Sequence, residues 1–135
     1  MARITIIEDD PILSRMYEQA FSFERHDVDV AHDGKEGLEK IAANLPTIIL
    51  LDVMMPIMDG FETLEKLKAD SKTKNIPVIM LTNLSEHKDA EVALAHGAVK
   101  YIIKGDYNPK QVVEMVKEIL QAYTRYDAPK SAVNV

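Results

Sequence analysis

Short apolar runs and helix-period stripes alternate along this chain, five of each. The runs carry apolar residues at successive or alternate positions, and the stripes carry them every third or fourth position. The first run is Arg3 to Ile7, and the stripe after it places Pro11 at a first helical position with Asp10 as its cap. Its inner face reads Ile12, Leu13, Met16, Tyr17, Ala20 and Phe21. Val28 to Ala31 predicts a second strand, and Asp33 with Glu36 approximates a capping box for a helix that faces inward through Leu38, Ile41 and Ala42. Such alternation builds βαβ units, so the pattern predicts an α/β fold with a parallel sheet and helices on both faces.

The third run, Ile48 to Asp52, has four aliphatic residues in succession and predicts a strand buried on both faces. The carboxylate at its end must then face a crevice. Pro56 and Asp59-Gly60 turn the chain back into a helix with Phe61, Leu64 and Leu67 inside, and Pro77 to Leu81 predicts a fourth strand ending on Thr82. An alanine-rich helix from about Glu86 to His96 stops at Gly97, a left-handed cap. Val99 to Ile103 delivers Lys104, and Asn108-Pro109 starts a last helix with Val112, Val113, Val116, Ile119, Leu120 and Tyr123 inside. The pattern is lost from about Arg125, so residues 1–124 are expected to form one domain and 125–135 a flexible tail.

Composition narrows the functional classes. At 135 residues the chain buries one core, and with no cysteine it has neither disulfides nor thiolate metal sites. That usage and the lack of a charged-then-apolar leader place it in the cytoplasm. No apolar run reaches membrane-spanning length, and a net charge of -6 without a basic stripe argues against direct nucleic-acid binding. Lys66, Lys68, Lys72 and Lys74 read as a solvated helix end.

In a parallel sheet Glu8 and Asp9, Asp52, Thr82 and Lys104 all fall at the same edge, where open α/β sheets bind ligands. Clustered carboxylates repel one another unless a cation joins them, and hard oxygens suit Mg²⁺. A hydroxyl and an ammonium can bind the remaining oxygens of a phosphoryl group in transfer, with Asp52 as nucleophile. Each residue also has a plain reading. Asp10 is a helix cap, Thr82 alone is a strand residue, Tyr101 alone is core, and the Met54, Met55 and Met58 cluster is packing. His26, His32, His87 and His96 share no spacing and are given no metal or phosphate role.

On these residues the chain resembles the receiver domains of two-component response regulators, nearest in size to stand-alone chemotaxis-type regulators. The resemblance runs from about Ala2 to Tyr123 and rests on Glu8-Asp9, Asp52 with Met55-Pro56 and Met58-Asp59-Gly60, Thr82, Gly97-Ala98, Tyr101 and Lys104, the last standing 22 positions after Thr82. The flavodoxin-like strand order 2-1-3-4-5 comes with the resemblance and not with the pattern. It implies that Asp52 accepts a phosphoryl group from a sensor histidine kinase, a phosphotransfer protein or a small phosphodonor. Asp9, Asp52 and the backbone carbonyl of Met54 would bind Mg²⁺, with Glu8 acting through a metal-bound water. Lys104 and Thr82 would bind the phosphoryl group, and Tyr101 would turn inward as Thr82 moves, changing the surface of helix four, strand five and helix five for a downstream protein. The domain would catalyse only its own phosphorylation and dephosphorylation.

Two positions depart from the family. Asn83 follows the threonine where a small residue is usual, which offers a donor to a phosphoryl oxygen and narrows access to Asp52. Gly105 replaces a proline that commonly has a cis peptide bond; a cis bond before a non-proline costs about 2.5 to 4 kcal/mol, so a trans bond is expected, with glycine's access to positive φ easing the loop. A haloacid dehalogenase-type phosphatase would want a second Asp where Met54 stands. A receiver fold acting only as a binding module would be expected to lack one of the five site residues. The short tail suggests signalling by binding a partner, and a receiver cut from a longer regulator would look the same.

Overall fold

The computed structural model describes residues 2–83 and 87–126. Its strands are β1 (Arg3–Ile7), β2 (Asp27–Ala31), β3 (Ile48–Asp52), β4 (Val78–Thr82) and β5 (Lys100–Ile103). Between and after them run α1 (Pro11–Phe23), α2 (Gly34–Ala43), α3 (Gly60–Ala69), α4 (His87–Ala95) and α5 (Pro109–Tyr126), with a short 3-10 turn at Lys104–Asp106. The Glu86 start expected for the fourth helix and the tail from residue 127 on lie outside the described residues. The last helix itself continues to Tyr126, two residues into the segment expected to be tail.

All four ladders are parallel, in the order β2-β1-β3-β4-β5. The order explains the composition of each strand. The inner strands β3 and β4 are buried at every position, whereas the edge strands β2 and β5 keep partly exposed positions. Alternate residues feed two cores. Ile4, Ile6, Leu50 and Ile79 pack with Tyr17 and Phe21 of α1 and with Val112, Val113 and Val116 of α5. Ile7, Ile49, Leu51 and Met80 pack on the other face with Ile41, Leu64, Leu67 and Ala93 of α2, α3 and α4. Each fully buried aliphatic side chain contributes about 1.5 to 3 kcal/mol.

The helices correct the sequence reading in places. α1 buries Ser14, Tyr17 and Phe21, while Ile12 and Met16 stand 73% and 46% exposed. Its apolar residues cover more than half the helix circumference, and only packing against the sheet and α5 decides which arc is inside. Ala42 of α2 is likewise exposed. Lys68 is not a solvated end: its Nζ donates to the carbonyls of Lys74 at 3.0 Å and Ile76 at 2.9 Å, closing the turn into β4. Burial pushes this ammonium below its ordinary pKa. Gly97, with φ of +105°, is the left-handed cap expected.

Two loops shape the carboxyl edge of the sheet. After β3, the Gly60 amide donates to the Val53 carbonyl at 2.7 Å, and a Cβ on Gly60 would lie 2.1 Å from the Asp52 carbonyl oxygen, so only glycine lets the chain return so closely. In the same loop Ile57 has a φ of 70°, and Met58 donates its amide to the Pro56 carbonyl at 2.7 Å. After β5, the described residues contain no cis peptide bond, so Lys104–Gly105 is trans as expected. The expected use of positive φ at Gly105 is not found, because the 3-10 turn carries the chain through ordinary backbone conformations.

Candidate functional site

β1 ends at Ile7, so Glu8 and Asp9 emerge at the carboxyl edge beside Asp52, the last residue of β3. Lys104 follows β5 directly and crosses toward them. Its Nζ lies 3.1 Å from the Asp52 Oδ2 and pairs directly with Glu8 Oε1. Glu8 is 1% exposed and its Oε2 accepts the Asp10 amide at 3.1 Å. Asp10 turns its own carboxylate onto the Ile12 and Leu13 amides at 2.9 and 3.2 Å, which makes it the cap of α1. Glu8, Asp9 and Asp52 each offer an oxygen, and these atoms lie within 4.8 Å of one another, a set that could hold a divalent cation.

Burial raises the Glu8 carboxyl to about 7; the Lys104 and Asp10 hydrogen bonds work against that rise, and Asp52 adds to it. Burial raises Asp52 too, opposed by hydrogen bonding with Glu8 and by Lys104. Burial alone would lower Lys104, but the Glu8 hydrogen bond and the two carboxylate charges outweigh it and lift the ammonium above its ordinary value. One ammonium is therefore shared between two carboxylates while Asp9 stays exposed beside them. The cleft above them has a volume of about 490 Å³, and Met54, Asn83 and Gly105 are part of its wall.

Thr82 ends β4 fully buried and is not part of that wall. It hydrogen-bonds with Tyr101, whose phenol burial raises while the Thr82 contact opposes the rise. The Tyr101 ring is half-buried against the α2, α3 and α4 side of the sheet. One contact escaped the sequence reading: His32 Nδ1 lies 3.1 Å from the Glu8 carbonyl oxygen and braces the turn that presents the acids. A histidine with no partner in sequence gives no signal of such a role. His26 takes the Ala2 amide at 3.0 Å, His96 sits 2.8 Å from the Val92 carbonyl, and the His87 side chain lies outside the described residues.

The family model of the response regulator receiver domain matches residues 4–117, a span that includes the acid pair after the first strand, the acid ending the third and the lysine after the fifth. This chain belongs to that family. It is a receiver domain of the two-component response regulator type, a signalling domain of phosphorelay systems. Response regulator ArlR of Staphylococcus saprophyticus is 34% identical to it over 135 residues, covering 100% of this receiver and 58% of ArlR. Response regulator PleD of Caulobacter vibrioides is 42% identical over 103 residues, 76% of this receiver and 23% of PleD. The receiver thus spans less than two thirds of the length of ArlR and about a quarter of the length of PleD. A CheY-like receiver domain protein from Methanospirillum hungatei superposes with a TM-score of 0.86 at 31% identity, over 93% of this receiver and 98% of that chain. Among the described residues no helix is long and apolar enough to cross a membrane.

Proposed function

We propose that this receiver accepts a phosphoryl group on Asp52 and that the modification switches a protein-binding surface. The observation that carries the reading is the Lys104 ammonium held 3.1 Å from Asp52 inside a three-carboxylate cluster. Asp9 and Asp52 would hold Mg²⁺ as hard oxygen donors, joined by the Met54 carbonyl and with Glu8 acting through a metal-bound water. Bound there, the ion supplies charge neutralisation for the oxygens of the transferring group. An Asp52 carboxylate oxygen forms the bond to phosphorus as the donor's leaving group departs with its electron pair. Lys104 moves from Glu8 toward the new phosphoryl oxygens, Thr82 donates its hydroxyl to another, and Asn83 on the cleft wall offers an amide donor.

Thr82 leaving Tyr101 supplies the switch. Their hydrogen bond holds the ring in place, and its loss frees the ring to turn inward beside β5, altering the surface of α4, β5 and α5. A histidine kinase or phosphotransfer protein is the donor, and the exposed Ile12 and Met16 at the cleft end of α1 give it an apolar contact. The recipient of the signal is a protein, whether separate or an output domain such as the longer relatives have room for. The domain sits in the cytoplasm with its kinase partner. The test is the mass gain with acetyl phosphate and Mg²⁺. Wild type gains one phosphoryl group and Asp52→Asn gains none; base-labile phosphate on Asp52→Asn at the wild-type rate would overturn the assignment.

A further inference from the structure

The chain has seven methionines and no cysteine, so thioethers are its only oxidisable sulfur. They differ sharply in access. Met80 is fully buried, Met55, Met58 and Met115 are half-buried, Met16 is 46% exposed and Met54 is 64% exposed. Met54 also stands two residues past Asp52 and is one of the residues lining the cleft that holds Glu8, Asp9, Asp52 and Lys104. An apolar side chain so exposed has little packing to lose, and nothing of the cores on either face of the sheet includes it.

We propose that the Met54 thioether is a peroxide-sensitive modification site whose oxidation slows phosphoryl acceptance, an inference that rests on Asp52 being the acceptor. A sulfur lone pair attacks the distal oxygen of hydrogen peroxide, the O–O bond breaks, and the departing hydroxide takes the proton to leave as water. The product is a sulfoxide, reversible by methionine sulfoxide reductases. It replaces an uncharged rim with a strong acceptor dipole whose oxygen repels the anionic phosphodonor in a cleft already crowded with carboxylates. Lys104 is shared between two of those carboxylates and has little charge to spare for it. Met80 and the half-buried methionines react more slowly because peroxide must first reach them.

The experiment treats wild type, Met54→Leu and Met16→Leu with low-millimolar hydrogen peroxide, maps sulfoxide by peptide mass, and then measures acetyl phosphate labelling of Asp52 against each variant's own untreated sample. Met54 is expected to be oxidised before the half-buried and buried methionines. Labelling should fall by roughly three- to tenfold, the scale of one added unfavourable polar contact, in treated wild type and treated Met16→Leu. Treated Met54→Leu should keep its untreated rate, and reductase should restore the wild type. Sparing of Met54, an equal loss in Met54→Leu, or Met54 sulfoxide without a change in rate would each overturn the inference. Untreated protein that gains no phosphate at Asp52 would overturn the functional reading and this inference together, whereas normal labelling before and after oxidation overturns only this one.

Discussion

The Lys104 ammonium lies 3.1 Å from the Asp52 carboxylate and in the same position pairs with the buried Glu8. A cation shared in this way holds the acids together before any metal arrives. Lys104→Met keeps the aliphatic stem and removes the charge, leaving two buried carboxylates to repel each other or take up protons. Removing one partner of a buried pair costs about 3 to 5 kcal/mol where no protonation relieves it, so a loss of roughly 2 to 4 kcal/mol in urea unfolding at pH 7.5 is expected. Saturating Mg²⁺ should restore more stability to Lys104→Met than it adds to wild type. Equal Mg²⁺ gains in both proteins would show that the ion and the ammonium do not serve the same charges.

Glu8 makes metal-free stability depend on pH. Its carboxyl is raised by burial from an ordinary 4.5 to about 7, so the folded state keeps a proton that the unfolded chain has already released. Stability from this group is therefore greatest below the unfolded value and falls as pH rises through the window from 4.5 to 7. The raised Asp52 carboxyl acts with the same sign. A tenfold change in a proton-binding equilibrium is worth about 1.4 kcal/mol, so Glu8 sets an upper bound of roughly 3 kcal/mol. Wild type should gain about 1 to 3 kcal/mol over Glu8→Gln between pH 7.5 and 5 in the absence of divalent ions. Chemical denaturation of both proteins across that range decides it, and parallel pH profiles would refute a raised Glu8 carboxyl.

The edge residues were legible in the sequence because burial on both faces leaves a strand such as Ile48 to Leu51 no polar position except its end. Asp52 and Thr82 each end a run that is otherwise apolar, Lys104 follows the apolar pair Ile102-Ile103, and a parallel sheet aligns such breaks. The facing of α1 was not legible, since Ile12 and Met16 differ from Tyr17 and Phe21 only in which side the sheet lies. Nor was the His32 contact with Glu8, which depends on the parallel register of β1 and β2 and on no local pattern. The 3-10 turn after β5 was hidden for a different reason. Glycine at 105 signals permissive backbone, yet the structure spends none of that freedom.

Unspent freedom at Gly105 should be removable. A Cβ there meets nothing within 4 Å, and the residue is not at positive φ. Gly105→Ala should stabilise the fold by about 0.4 to 1 kcal/mol through the unfolded chain. Thermal or urea unfolding checks it, and destabilisation would mean that the loop after Lys104 samples conformations closed to alanine.

Asn83 is exposed and lines the cleft that holds Asp52, and under the proposed function its amide would crowd water approaching the phosphorylated carboxylate. Asn83→Ala should speed loss of the phosphoryl group by several-fold, on the order of one hydrogen-bond contact to a charged group. Decay of the phosphorylated form after removal of donor measures it. An unchanged rate would remove Asn83 from the site.

The loop after Asp52 stores strain at Ile57. A β-branched residue with a φ of 70° is a conformational outlier, and the Met58 amide bonded back to the Pro56 carbonyl at 2.7 Å closes a three-residue turn of the strained kind around it. Such strain costs on the order of 1 to 3 kcal/mol and persists where its surroundings over-determine it. Here Pro56 fixes the entry and the tight return at Gly60 fixes the exit. The Ile57 side chain is 76% exposed, so little packing is lost when it is replaced. Asparagine tolerates the left-handed region through local hydrogen bonding. Ile57→Asn should therefore raise stability by about 0.5 to 1.5 kcal/mol. Ile57→Gly also relieves the strain but returns part of the gain as unfolded-state entropy, so it should fall between wild type and Ile57→Asn. Ile57→Ala has a Cβ in the same conformation and keeps most of the strain. An Ile57→Ala gain equal to that of Ile57→Asn would locate the benefit in the removal of exposed apolar surface and not in the backbone.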